Sequence, residues 1–205
     1  MIGFLPVPTS AAETVVLDLS GAPPGRLPPG FVSARTGKGA AAEWSVQDDA
    51  SVPGGRVLAQ TSADPTDHRF PLAIYEAVSA ADVEVGVRFK AVAGRVDRAA
   101  GIALRLADAD NYYVARANAL EDNVNFYRVV RGARREIHGA PARSASGVWH
   151  MLGFRAEASR FTVSLNGQAL FTATDRTFPG AGKIGLWTKA DSVTRFDALT
   201  LRVLP

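Results

Sequence analysis

The sequence contains no cysteine, which excludes disulfides, thiolate zinc sites and a cysteine nucleophile. Histidine is almost as scarce: His68, His138 and His150 are the only 3, and they lack the spacing of a metal-ligand set. No apolar run approaches the ~20 residues that a membrane-spanning helix needs, so no membrane span is expected. No window of a dozen residues keeps apolar side chains at three- and four-residue spacing without glycine, proline or β-branched interruption, which argues against long helices. Catalytic signatures are missing too. There is no G-x-S-x-G elbow and no S-x-x-K, and Gly37-Lys38-Gly39 lacks the second half of a phosphate loop.

What is present fits one all-β unit. A hydrophobic fraction of 47% with 21% charged residues is ordinary for a globular domain with a sizeable core, and 205 residues suit a single sandwich. The net charge of +3 comes from scattered arginines. Arg131, Arg134 and Arg135 form a small cluster in an expected hairpin turn, read as solvated, and without an aromatic-interleaved basic stripe no nucleic-acid partner is expected.

Short alternating runs recur along the chain. Strands are expected at 14–19, 43–47, 56–60, 70–75, 82–91, 101–106, 112–117, 124–131, 134–138, 149–156, 160–165, 168–174, 183–188 and 194–203. Asn166-Gly167 separates two of them as a two-residue hairpin turn. Residues 108–111 and 131–133 carry weaker turn signals, and 21–30, with its four prolines, reads as a loop. A brief helical turn is expected around Glu76 to Ala81. This spacing describes an antiparallel two-sheet jelly-roll sandwich, a single domain over 14–205.

The richest segment runs from Gly101 to Val130. Alternation there buries Ile102, Leu104 and Leu106 and turns Ala103 and Arg105 away from the core. The face turned away is expected to carry Arg116, Asn118, Asn123, Asn125 and Tyr127. Planar amides, a guanidinium and a phenol suit a polyhydroxylated ligand better than an apolar one.

Three segments carry a family resemblance: DADNYYVARANALEDNVNFYRV, GVWHMLGFRAEASRFTVSLNGQALFTA and GKIGLWTKADSVTRFDALTL. They resemble bacterial exported domains of the concanavalin A-like lectin and glucanase superfamily, nearest its laminin-G-like and 3-keto-disaccharide-hydrolase-like groups. The likeness covers about residues 80–203. It implies two antiparallel sheets with a concave face that handles carbohydrate. The family-16 hydrolases of that superfamily carry E-x-D-x-x-E on a strand, and this sequence has no such run. Glu121 and Asp122 are adjacent, so on a strand they point to opposite faces and cannot flank one glycosidic bond.

Residues 1–13 are read as a flexible tail or a signal-peptide remnant. Ser10, Ala11 and Ala12 precede Glu13 as in a cleavage region, but a basic start is missing and Pro6 and Pro8 interrupt the apolar run. With the resemblance, this leads to an expected periplasmic or secreted location.

The expected ligand-binding residues are Arg105, Arg116, Asn118, Asn125 and Tyr127, with Trp187 and Lys189 as one wall. Trp187 and Lys189 alternate with Ile184 and Leu186, so they share the face opposite the core. Tyr112 and Trp149 are further aromatic candidates, Trp149 reading rather as turn packing. The loops holding Asp64, Asp67, His68 and Arg69, and Asp191 and Ser192, read as structural, because Asp and Ser at turns bond the local backbone. No cofactor is expected. Structural calcium is a minor alternative, with Asp18 and Asp197 meeting if the terminal strands pair. The leading expectation is a carbohydrate-binding domain with a glycan or glycoside ligand. Its alternatives are a glycoside-cleaving enzyme of the 3-keto-disaccharide-hydrolase-like kind and a laminin-G-like protein-interaction module.

Overall fold

The computed structural model describes residues 14–205; the tail expected over 1–13 lies outside the described residues. These hold fifteen strands and no α-helix. In chain order they are β1 (Thr14–Leu17), β2 (Phe31–Gly37), β3 (Trp44–Asp48), β4 (Arg56–Gln60), β5 (Arg69–Ala80), β6 (Val83–Ala93), β7 (Ala99–Asp108) and β8 (Asn111–Asn118). They continue with β9 (Asn123–Val130), β10 (Ala133–Pro141), β11 (His150–Glu157), β12 (Arg160–Leu165), β13 (Gln168–Thr174), β14 (Gly182–Trp187) and β15 (Val193–Val203). One antiparallel sheet has the order β13-β12-β11-β6-β15-β4-β3, with β1 paired to β15. The other runs β10-β9-β8-β7-β14-β5-β2.

Alternation builds the core between them. Val83, Val85, Val87 and Phe89 of β6 join Ile102 and Leu104 of β7, Ala115 of β8 and Phe126 of β9 in one buried cluster. Removing each large apolar side chain from water contributes about 1.5–3 kcal/mol. The rings interlock across the layers, with Phe126 and Phe161 centroids 4.9 Å apart and Tyr113 and Phe161 4.5 Å apart. Tyr113 also donates its hydroxyl to Asp175 (2.6 Å) and accepts the Phe178 N–H (3.0 Å), which fastens the loop before β14.

Strands β4, β12 and β13 have the bounds that alternation predicts. Asn166 and Gly167 form the expected turn, with φ of 52° and 80°. Two elements differ. β2 mixes small, polar and charged residues after a proline-rich loop, and pairing along β5 makes it a strand. The expected helical turn at Glu76 to Ala81 is instead the far end of β5, which runs to Ala80, followed by a bend at Ala81; the Glu76 N–H donates to Gly30 O (2.8 Å), so tertiary pairing overrides the local preference of a Glu-Ala segment.

A third difference changes the site. The β7–β8 register shifts between Leu104 and Asp108, and Arg105 adopts a positive φ of 49°. Such a bulge reverses the alternation beyond it. Leu106 therefore joins the apolar cluster on the outer face of the seven-stranded sheet, and Arg105 turns the other way.

Candidate functional site

The outer face of the seven-stranded sheet carries the polar row expected from β8 and β9. Arg116 lies opposite Asn125, Asn118 opposite Asn123 and Val114 opposite Tyr127. The row is knit together. Arg116 donates to Asn123 Oδ1 (2.6 Å), to Glu121 Oε2 (2.7 Å) and to the Tyr127 hydroxyl (3.0 Å). Asn125 Nδ2 donates to the same hydroxyl (3.0 Å) and to Glu136 Oε2 (2.8 Å). Although burial pulls the Glu121 carboxyl upward, the bonds from Arg116 and Asn123 hold it below its ordinary value. Glu121 belongs to the turn between β8 and β9, so strand alternation does not govern where it points.

Further along this face is an apolar floor of Phe70, Leu72, Tyr112, Val114, Tyr127 and Trp187. Phe70 and Trp187 stack at 5.3 Å, and Trp187 Nε1 donates to the Tyr112 hydroxyl (3.2 Å). Burial pushes that phenol up to about 12. Arg134 of β10 lies over the floor, its guanidinium 4.4 Å from the Tyr127 ring centroid, 4.9 Å from Phe70 and 5.7 Å from Trp187. Arg134 is thus half-buried aromatic packing, not part of the solvated turn expected from sequence.

Beside the polar row, Lys189 Nζ sits 2.9 Å from Asp97 Oδ2 and 3.4 Å from Asp67 Oδ1. Asn118 Nδ2 donates to Asp97 Oδ1 (2.9 Å), and its carbonyl accepts the Leu120 N–H (2.9 Å). Burial raises the Asp97 carboxyl above its ordinary range, against the pull of Lys189. Arg116, Asn118, Asn125, Tyr127, Trp187 and Lys189 therefore share the predicted face.

Two expectations need correction. Arg105 is only 2% exposed and faces away from this row. It donates to Ala81 O (2.7 Å), Phe178 O (2.8 Å) and Ala158 O (2.5 Å), pairs with Asp82 (3.3 Å) and lies over the Phe161 ring. The bulge removes it from the site and makes it a clamp for three loops. Trp187 shares the face as predicted but is 0% exposed, a floor beneath Arg134 instead of a groove wall.

The open part of the face is a groove of about 340 Å³ between β9, β10 and the 119–122 turn, lined by Glu121, Asp122, Asn123, Asn125, Glu136 and Gly139 among others. Sequence reasoning missed Asp97, Glu121, Arg134 and Glu136. For Arg134 and Glu136 a signal existed: they are two apart in β10 and so share a face. Asp97 sits in a loop, and nothing local marks it.

The remaining candidates are engaged locally. Asp64 accepts the Ala40 N–H (2.5 Å) and both the N–H and hydroxyl of Thr66, which takes its carboxyl down to about 2. Asp191 accepts backbone N–H groups of Arg95 (2.6 Å), Val96 (3.1 Å) and Asp97 (2.9 Å), which lower its carboxyl despite burial. Ser192 Oγ accepts the Ala99 N–H (3.0 Å). Asp67 is lowered, first by the His68 N–H, and its exposed side chain lies 3.6 Å from the His68 ring. Trp149 donates to Ser51 (3.1 Å) under Lys90 and packs on the other sheet. His138 stacks on Phe171. The terminal strands β1 and β15 do pair, but Asp18 binds Ser20 while Asp197 pairs with Arg88 (3.0 Å), so these carboxylates do not converge on a cation.

No family model matches the sequence, and no curated protein matches it. Solved structures do. The carbohydrate-binding module CBM66 from Bacillus subtilis is similar with a TM-score of 0.67 at 23% identity, over 84% of this chain and 95% of that one. The Bacillus licheniformis beta-glucanase is similar with a TM-score of 0.60 at 12% identity, over 96% and 100%. A conserved carbohydrate esterase from a Shiga toxin-encoding bacteriophage is similar with a TM-score of 0.54 at 17% identity, over 86% and 91%. These likenesses define the fold. It is the antiparallel two-sheet jelly-roll sandwich that the sequence resemblance implied.

Proposed function

We propose that this protein is a carbohydrate-binding domain that takes a glycan in the groove of β9 and β10, on the outer face of its seven-stranded sheet. One observation carries the reading: Asn123, Asn125, Glu121 and Glu136 line an open groove whose polar groups are fixed by Arg116 and Tyr127 behind them. Sugars need donors and acceptors held in place, and a pre-ordered network supplies them with little loss of side-chain freedom on binding. The fold is shared with a carbohydrate-binding module and with carbohydrate-active enzymes, which supports the ligand class. In keeping with that ligand, we place the protein outside the cytoplasm, in the periplasm or secreted.

Binding is favoured over glycoside cleavage by the state of the acids. A general acid at neutral pH needs a raised carboxyl that reaches its substrate. Asp67 and Asp191 are lowered, and the raised Asp97 is 1% exposed behind Lys189 and Asn118.

A glycan array with the wild-type protein and an Asn123→Ala, Glu136→Ala double variant tests the proposal. Both positions are at the surface, so the variant keeps the fold while losing the glycan signal. Equal binding by the two proteins rejects the groove, and an array with no signal for the wild type rejects the ligand class.

A further inference from the structure

Three carboxylates of the outer face are committed, while Asp122, on the far side of the groove, makes no side-chain bond among the described residues. Asp97 holds Lys189 and Asn118, Glu121 holds Arg116 and Asn123, and Glu136 accepts from Asn125. None of them reaches Arg134. Among the described residues the Arg134 side chain makes no ion pair and no hydrogen bond, and its Nη1 is buried without a partner. Arg116 has the same deficit on one atom: at 3% exposure, its Nε is buried and unpartnered. The two guanidiniums flank one ring, 4.4 Å and 5.6 Å from the Tyr127 centroid.

An unpartnered buried donor costs the desolvation of that group, and a buried cation without a counter-ion costs more. The like charge of Arg116 adds to the burial of Arg134, and both lower its hold on its proton. A neutral hydroxyl satisfies the donors but leaves the charge uncompensated. A planar carboxylate or a sulfate does both, because the guanidinium fork matches its oxygens.

We infer that the glycan bound by this domain is acidic, carrying a uronate carboxylate or a sulfate that sits on the guanidinium of Arg134, beside Arg116 and the Tyr127 ring. This rests on the carbohydrate-binding reading and adds the charge of the ligand. Glu136, two residues from Arg134 on the same strand, stays at the groove mouth to accept from hydroxyls of the flanking sugar.

Titration calorimetry with tetragalacturonate, its fully methyl-esterified form, a sulfated tetrasaccharide and a neutral glucan tetrasaccharide tests the inference. The acid or the sulfated sugar is expected to bind at least about tenfold tighter than the ester and the neutral sugar, the size of one charge-assisted hydrogen-bond set. Arg134→Gln is expected to erase that ratio by lowering affinity for the acid and the sulfated sugar. The ratio is measured on the wild-type protein, so it stands even if the variant does not fold, and preference for the sulfated over the uronate sugar identifies the anion. Affinity of the acid and of the sulfated sugar no greater than that of the ester and the neutral sugar, or binding of the ester and the neutral sugar alone, overturns the acidic ligand while the carbohydrate reading survives. Binding of none of the four overturns the acidic ligand, and the glycan array decides the broader reading separately.

Discussion

Gly139 of β10 lies opposite Asn125 of β9, and a Cβ at Gly139 would come within 2.4 Å of the Asn125 Oδ1. The missing side chain is what lets the Asn125 amide lie flat along the sheet, bonded to Tyr127 and Glu136 at once. Gly139→Ala is therefore expected to swing Asn125 away. The clash is with the end of a side chain, so stability falls by no more than about 1–3 kcal/mol. Glycan binding falls tenfold or more, and calorimetry against a thermal melt separates the two effects.

Arg105 gives the opposite pattern. Its buried guanidinium satisfies three backbone carbonyls and pairs with the partly exposed Asp82, so Arg105→Ala leaves those acceptors bare. Loss of about 3 kcal/mol or more is expected, since each acceptor left unpaired costs about 1–3 kcal/mol. Denaturant unfolding checks this, and sugar affinity of the folded fraction should not change.

Trp187 forms the floor beneath Arg134 and contributes packing. Trp187→Ala is expected to cost about 3–5 kcal/mol through the cavity it leaves against Phe70 and Tyr112. In the wild type its burial predicts that acrylamide quenches the Trp149 emission and spares the Trp187 emission, with or without sugar. Single-tryptophan variants read this directly.

Acid should unfold the protein through carboxyls tied to the backbone. Asp64 titrates near 2 in the folded chain against an ordinary 3.8, so the unfolded chain binds its proton first. Its stabilising contribution is complete above 3.8 and is lost as pH falls toward 2. The lowered Asp191 acts in the same sense. Asp97 acts against them: its raised carboxyl favours the folded state while protonated, and this is lost as pH rises through its folded value. Melting temperatures from pH 6 down to pH 2 should fall, and Asp64→Asn should flatten the lower part of that curve.

The strand pattern of this protein was legible because a sheet repeats every two residues. Ile102 against Ala103, Val124 and Phe126 against Asn125 and Tyr127, and Leu186 against Trp187 all fall on the faces that their alternation predicts. β2 was not legible, since Phe31–Gly37 has no apolar rhythm of its own and exists as a strand through its bonds to β5. The polar row Arg116, Asn118, Asn125 and Tyr127 was visible for the same reason as the core, being the other half of one alternation.

Sequence alone thus determined the two-sheet architecture and which residues of β8 and β9 leave the core, because both follow from local periodicity. The tertiary structure decided the rest. A single bulge at Arg105 reversed one strand and turned a proposed ligand contact into a clamp. Cross-strand packing drew Arg134 out of an expected solvated turn and over three rings, and a loop carried Asp97 to Lys189. Contacts between residues far apart in the chain depend on bulges and loop closure, which local periodicity does not encode.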